Sequence, residues 1–337
     1  MVIVSIIIPN FNGSRFIPRL FKSLIAQTYR SFEIIFVDNG SSDNSLPILN
    51  TILKDIPPEI NVQIVKLNIN TGYCKANNIG AARAKGKYLL FLNNDTFVSQ
   101  SFLNELVSVL DAYPEVGACG SRIMFADSIA LQTIGQTLDK YGWVDTLKDD
   151  TIVSGSRIDA SFYPAFVAVI VRGNILSKCG SFDENLFVTG DYDLGWRIRL
   201  MGFSQAVALD SVCYHYGGWT VRMLPDLNRY FLTYKEKTYT LLKNFSLSRI
   251  LTRFPFSVAL MLASSSYKTF KLRKPYLPLL VYAFIWNVKN AKKLIIERTE
   301  VQNRRVVTDD EIETYMSDYP AILKRIHEIG DVSTQNL

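Results

Sequence analysis

Three short polar clusters carry residue types that could do chemistry: Asn10-Phe11-Asn12-Gly13, Asp38-Asn39-Gly40-Ser41-Ser42-Asp43 and Asn93-Asn94-Asp95. Each follows an apolar run, at residues 2–8, 32–37 and 88–92. A lone carboxylate among amides suits a divalent cation whose other ligands are phosphate oxygens and water. Neither GxGxxG nor GxxxxGK[ST] occurs, so the dinucleotide-fold and P-loop ways of holding phosphate are excluded. A metal at Asp95 is the natural substitute. There are only two histidines, His215 and His327, and four widely spaced cysteines (Cys74, Cys119, Cys179, Cys213) without a CxxC pair. That usage argues against a zinc site or a disulfide scaffold and suits a reducing compartment.

These clusters need a scaffold that brings them together. Strand-like runs at 2–8, 32–37, 62–67 and 88–92 alternate with helical patterns at 15–27, from Ser45 to about Lys54, and at 78–85. Such alternation predicts a parallel sheet with helices on both faces, and ligands of such sheets sit at the carboxyl ends of the strands. All three clusters fall there. Further strands are expected near 117–123 and 165–172, then a helix capped by Asp193 and stopped by Gly202. After Tyr230 the pattern turns helical and basic.

The 337 residues suffice for two or three folding units, or for one large α/β domain with an appendage. With 48% hydrophobic residues the chain can bury a core. Charge is uneven: residues 245–305 carry 12 Lys or Arg against two acids, +10 within a net +6, which leaves −4 elsewhere. No nucleic-acid-binding signature accompanies it. Two apolar runs, 254–263 and 276–288, flank the basic stretch 268–274, and each is shorter than a membrane span. An amphipathic segment of this kind docks on anionic lipid. The alternative is a helical subdomain that packs the same runs inside the protein. The start, residues 1–8, stops at Pro9 and is too short for a signal peptide. The expectation is a cytoplasmic protein, peripheral on the cytosolic membrane face.

The chain resembles family 2 glycosyltransferases of the GT-A fold, particularly their rhamnosyltransferase-like branch. The resemblance rests on Ile8-Pro9-Asn10-Phe11-Asn12-Gly13, Leu24–Tyr29, Val37–Asp43, Asn70-Thr71-Gly72-Tyr73 with Asn77-Asn78, and Leu92–Thr96. It continues through Gly180–Glu184 and Asp191-Tyr192-Asp193-Leu194, and so covers roughly residues 1–220. It implies an α/β fold: a Rossmann-like mixed sheet flanked by helices, with a helical, basic C-terminal extension. The expected division is a catalytic domain, 1–225, with a nucleotide-binding half (1–97) and an acceptor-binding half (98–225), followed by a helical region, 226–337.

The resemblance also implies roles. Asp38 matches the acidic residue that holds the nucleotide base, with Pro9, Asn10, Asn12 and Asn39 in the same pocket. Asn70, Gly72 and Asn77 match the segment that closes over the nucleotide and diphosphate. Asn93-Asn94-Asp95 stands in place of the family's DxD, with Asn94 beside the donor and Asp95 as the metal ligand. His215 matches a further metal contact. Asp191 matches the catalytic base, although Gly190 replaces the usual preceding glutamate. The implied cofactor is Mg²⁺ or Mn²⁺. The implied partners are a UDP- or dTDP-linked sugar and a glycan or lipid-linked acceptor, and the activity is inverting sugar transfer. A nucleotide-sugar-binding pseudoenzyme is the alternative.

Each residue also has a plainer reading. Asp38 could cap a turn, Asn93–Asp95 could be an ordinary strand end, and His215 could be packed in the core. Asp193 reads as a helix cap, and Arg197 and Arg199 as a solvated face or as partners of Asp191 or an acceptor.

Overall fold

The computed structural model describes residues 2–128, 130–148, 157–159, 162–217 and 225–321. Val4–Asn10 (β1), Phe32–Asn39 (β2), Asn61–Leu67 (β3) and Tyr88–Leu92 (β4) run parallel in the order β4-β1-β2-β3. β2 and β4 are buried along their whole length, as expected of strands covered on both faces. Ile17–Ile25 (α1), Ser45–Ile52 (α2) and Tyr73–Ala81 (α3) connect them. α1 buries Ile17, Leu20, Phe21 and Leu24, one helical stripe, in a cluster with Ile6, Ile8, Ile34 and Phe36. Each such side chain contributes about 1.5–3 kcal/mol by burial. α3 starts five residues earlier than the 78–85 expected, directly after Gly72 at φ +88°, so that Asn78 lies inside it and donates to the Phe182 carbonyl at 2.8 Å.

Thr96–Val98 (β5), Phe102–Ala112 (α4), Val116–Phe125 (β6) and Leu131–Thr133 (β7) come next. Gln136–Asp139 (β8), Val144–Thr146 (β9) and Arg157–Asp159 (β10) precede Ala168–Arg172 (β11). Gly173–Cys179 (α5), Gly190–Leu200 (α6) and Ser204–His215 (β12) complete this part. The main sheet has the order β10-β12-β6-β11-β4-β1-β2-β3. β11 is antiparallel to both β4 and β6, so the parallel strands predicted from strand–helix alternation at 2–92 sit within the mixed sheet that the resemblance implied. Among the described residues the chain reaches β11 from β6 through short strands, not the helical crossover that a parallel neighbour requires.

The chain forms two compact units: Met1–Gln136, Thr146–Arg199 and Phe203–Trp219 in one, and Thr137–Asp145, Leu200–Gly202 and Thr220–Leu337 in the other. The second unit is mainly helical: Asp226–Asn244 (α7), Leu247–Thr252 (α8), Phe254–Leu272 (α9), Tyr276–Lys289 (α10), Ala291–Arg304 (α11) and Asp309–Glu313 (α12). Met316–Ser317 (β13) pairs with β8 in a small sheet ordered β13-β8-β9. Asp139 holds this sheet by accepting from the amides of Tyr141, Trp143 and Ala321 at 2.7–2.9 Å. α9 ends where Arg273 turns left-handed at φ +50°, and α12 opens with a Thr308–Glu311 capping box. No helix among the described residues is long and apolar enough to cross a membrane.

Candidate functional site

The carboxyl ends of β1, β2 and β4 meet at one polar edge. Register sets Asn10, the last residue of β1, beside Asp38 in β2. Asn10 Nδ2 donates to Asp38 Oδ1 at 3.4 Å and to Ser41 Oγ at 3.1 Å, and its Oδ1 accepts from Asn94 Nδ2 at 2.7 Å. One amide therefore ties together the ends of three strands. Gly13 makes this possible, since a Cβ there would lie 2.1 Å from Asn94 Nδ2 and 2.4 Å from Asn10 Oδ1. Pro9 precedes Asn10 in β1 and pairs with Val37.

Asp38 is fully buried, and its Oδ2 has no hydrogen-bond partner among the described residues. An unpaired buried acceptor costs about 1–3 kcal/mol, and more when charged. Asp38 Oδ2 is one of several buried acceptors without a partner among the described residues, and it lies at the edge where the strand ends meet. Asn77 is buried too, donates to the Tyr73 carbonyl at 3.1 Å and leaves its Oδ1 without a partner.

Side chains that close on backbone hold the loops around Asp38. Asn12, at φ +51°, accepts from the Ser42 amide at 2.8 Å. Asp43 accepts from the Ser14 and Ser45 amides at 2.9 and 3.0 Å. Burial alone would raise the Asp43 carboxyl, but hydrogen bonds from Ser45 and Ser14 outweigh it and hold the group below the usual carboxylate value. Asn39 accepts from the Thr71 amide at 2.8 Å and donates to Asn70 Oδ1 at 2.9 Å, while Asn70 accepts from the Gly72 amide at 2.9 Å. Gly72, at φ +88°, opens α3. The structure thus joins Asn39, Asn70 and Gly72 in one network and Asn10, Asp38 and Asn94 in another.

Asp95 and His215 meet although 119 positions separate them. β5 pairs antiparallel with β12 so that Thr96 faces His215, and the Tyr216 amide donates to the Asp95 carbonyl at 3.0 Å. His215 Nε2 lies 3.3 Å from Asp95 Oδ1, and Nδ1 lies 3.1 Å from Gln132 Oε1. His215 Nε2 and Asp95 Oδ1 are thus two atoms that a cation between them could use, and a partner on the other ring nitrogen is the usual support of a metal-bound histidine. Among the described residues no group of three or more His, Cys, Asp or Glu converges. The protein could thus supply two ligands, and phosphate oxygens and water would supply the rest, as Mg²⁺ commonly requires. Gln132 carried no signal in the sequence, because only strand pairing brings it to His215.

Asp191 is the second residue of α6, which begins at Gly190 rather than at the expected Asp193. Its Oδ1 accepts from the Tyr192 amide at 2.8 Å. Tyr73 reports its surroundings: burial pushes that hydroxyl up, and the nearby Asp191 and Asp95 carboxylates add to the shift. Both acids therefore share one neighbourhood with α3. Asp193 is not a cap. It is fully buried and pairs with Arg197 Nε at 2.8 Å. Arg197 also donates to the carbonyls of Cys179, Gly180 and Ser181, and Arg199 to that of Phe162, so neither lies on a solvated face. Gly190 has a local reason, since a Cβ there would sit 2.3 Å from Cys74 Sγ.

Residues 5–161 match the family model for glycosyl transferase family 2. A Rickettsia prowazekii protein named as an uncharacterized glycosyltransferase is 28% identical over 222 residues, 62% of this chain and 63% of that protein. The O-antigen biosynthesis protein RfbC of Myxococcus xanthus is 31% identical over 248 residues, 68% of this chain and 19% of that protein. Among solved structures, GalNAc-T7 with UDP, GalNAc and Mn²⁺ aligns with a TM-score of 0.60 at 15% identity, covering 86% of this chain and 58% of the other. In each case this chain spans less than two thirds of the other's length. The mixed sheet with its flanking helices is the GT-A fold, and residues 5–161 carry the domain of glycosyl transferase family 2.

Proposed function

We propose that the protein moves a sugar from a UDP- or dTDP-linked donor to a hydroxyl of a glycan or lipid-linked acceptor, with inversion at the anomeric carbon. The observation that carries this reading is the buried, unpartnered Asp38 Oδ2 at the sheet edge that also holds Asn10, Asn94 and Asp95. A base N–H is the donor that a carboxylate so placed lacks. Pro9, Asn12 and Asn39 shape the surrounding loops, and the Asn70–Gly72 segment with Asn77 lies over the diphosphate. Asp95 and His215 would hold Mg²⁺ or Mn²⁺, which when bound would neutralise charge on the departing diphosphate. GalNAc-T7, solved with UDP, GalNAc and Mn²⁺, and the O-antigen relative support the donor, metal and glycan class.

Asp191 is the base. As the acceptor oxygen bonds to the anomeric carbon, the bond from that carbon to the diphosphate oxygen breaks, and the hydroxyl proton passes to the Asp191 carboxylate.

A panel of nucleotide sugars with Mn²⁺ and membrane lipid extract, read by mass spectrometry, tests the reading. One donor should add one sugar to one acceptor, and Asp38→Ala should weaken its binding by about 10- to 100-fold. Metal-dependent donor binding without turnover on any acceptor would leave a nucleotide-sugar-binding protein, the alternative that Gly190 keeps in view. Failure to bind any donor would overturn the assignment.

A further inference from the structure

Two helices of the second unit turn apolar side chains outward, and one of them, α9, packs a largely polar face inward. α9 buries Ser257, Met261, Ser264 and Ser265. Two of these serines are hydrogen-bonded inside, Ser257 to the Tyr141 carbonyl at 2.5 Å and Ser265 to the Tyr230 hydroxyl. The opposite face carries Phe256, Leu262 and Phe270, and Phe270 is 88% exposed. α10 is apolar on nearly every side. It buries Tyr276, Leu280 and Ala283, yet Val281, Tyr282, Ile285 and Val288 point outward at helical spacing. A helix apolar all round belongs in a core or in lipid, and a contiguous exposed apolar face marks an interaction surface.

Cations frame this face at both ends. Lys271, Arg273 and Lys274 are exposed where α9 passes to α10, and Lys289, Lys292 and Lys293 are exposed where α10 passes to α11. A second copy of the chain would bring the same cations against these, so like charge opposes self-association through the face. Anionic phosphates complement it, and aliphatic chains complement what lies between.

We propose that the outer faces of α9 and α10 dock in the headgroup layer of a membrane containing anionic lipid. Phe270, Val281, Tyr282 and Ile285 enter the acyl boundary, and the flanking lysines and Arg273 lie against phosphates. Neither helix is long and apolar enough to cross, so both lie in the plane of the interface. This inference does not rest on the transfer reaction, because docking needs no donor or acceptor.

Flotation of the full chain with phosphatidylcholine vesicles, with and without phosphatidylglycerol, is the test. Binding should require the anionic lipid and fall steeply as salt rises. The variant Phe270→Ser with Val281→Ser and Ile285→Ser should bind about tenfold less or worse, with its melting temperature preserved. Replacing Lys271, Arg273 and Lys274 with Gln should lower binding to anionic vesicles alone. Light scattering, which should give a monomer for both variants and for the wild type, guards against the other occupant. A wild-type chain that ignores anionic vesicles would overturn the proposal. So would a wild-type dimer that the serine variant dissociates, since a second copy would then cover the face.

Discussion

The sheet unit and the helical unit both bury apolar side chains, but they differ in what else they bury and expose. In the sheet unit Ile6, Ile8, Ile34 and Phe36 lie inside, and polar side chains collect at the carboxyl edge of the strands. In the helical unit Glu236, Lys237, Asn244, Ser264 and Asn287 lie inside, while Phe256, Phe270 and Ile285 lie outside. Composition does not separate the two, since both are rich in apolar residues. The difference is where each chain segment meets its low-dielectric surroundings. The sheet supplies them from its own core, where the hydrophobic effect is satisfied internally. The helical unit also has an apolar interior, with Tyr239, Leu241, Phe245 and Leu280 in it, yet it offers further apolar side chains outward, and some of its inner polar groups pair with one another, as when Ser265 meets the Tyr230 hydroxyl.

The largest effect that could break this contrast sits on α6, which carries two acids with different tasks. Asp191→Asn should lower turnover by roughly 10²–10⁴-fold while donor affinity and melting temperature hold, because the change removes a basic lone pair. Asp193→Asn should instead cost about 3–5 kcal/mol of stability, since it strands the buried Arg197 charge. Steady-state kinetics and thermal unfolding on both variants separate the two roles. Normal turnover in Asp191→Asn would move the base elsewhere.

A second comparison sets like side chains on the two units. Ile6→Ala in the sheet core should cost about 2–5 kcal/mol, the usual price of a buried cavity. Ile285→Ala, 42% exposed, should stay within about 0.5 kcal/mol in solution. Denaturant unfolding of both variants decides the matter, and a large loss at Ile285 would mean that its face is internal after all.

The smallest effect concerns Asp43. Its carboxyl lies below the usual value in the folded protein, so its contribution to stability is present above the ordinary carboxylate range and is lost as pH falls through the lowered value. Asp43→Ala should cost about 1 kcal/mol at neutral pH. The gap from wild type should close in acid. Stability measured across that range checks the sign, and a gap that widens in acid would contradict it.

Local pattern made much of this protein legible. Strands 32–37 and 88–92 are legible as nearly continuous apolar runs, as strands buried on both faces require, and the half-exposed 62–67 as Val62, Ile64 and Val65 interleaved with Gln63 and Lys66. The polar clusters at Asn10, Asp38 and Asn93–Asp95 follow those runs, and the strand-end rule for α/β sheets groups them from the sequence alone. Contacts between distant segments escaped that reading. Nothing local tells β11 to run antiparallel, brings Gln132 to His215, or turns Asp193 from a cap into the buried partner of Arg197. The two apolar runs of the helical unit were visible as runs, but not which side of each would face out. Periodicity measures the spacing of apolar residues along a helix, whereas the direction a stripe faces depends on what the rest of the chain packs against it. In α9 the packed side is the serine side, and only the folded protein could show it.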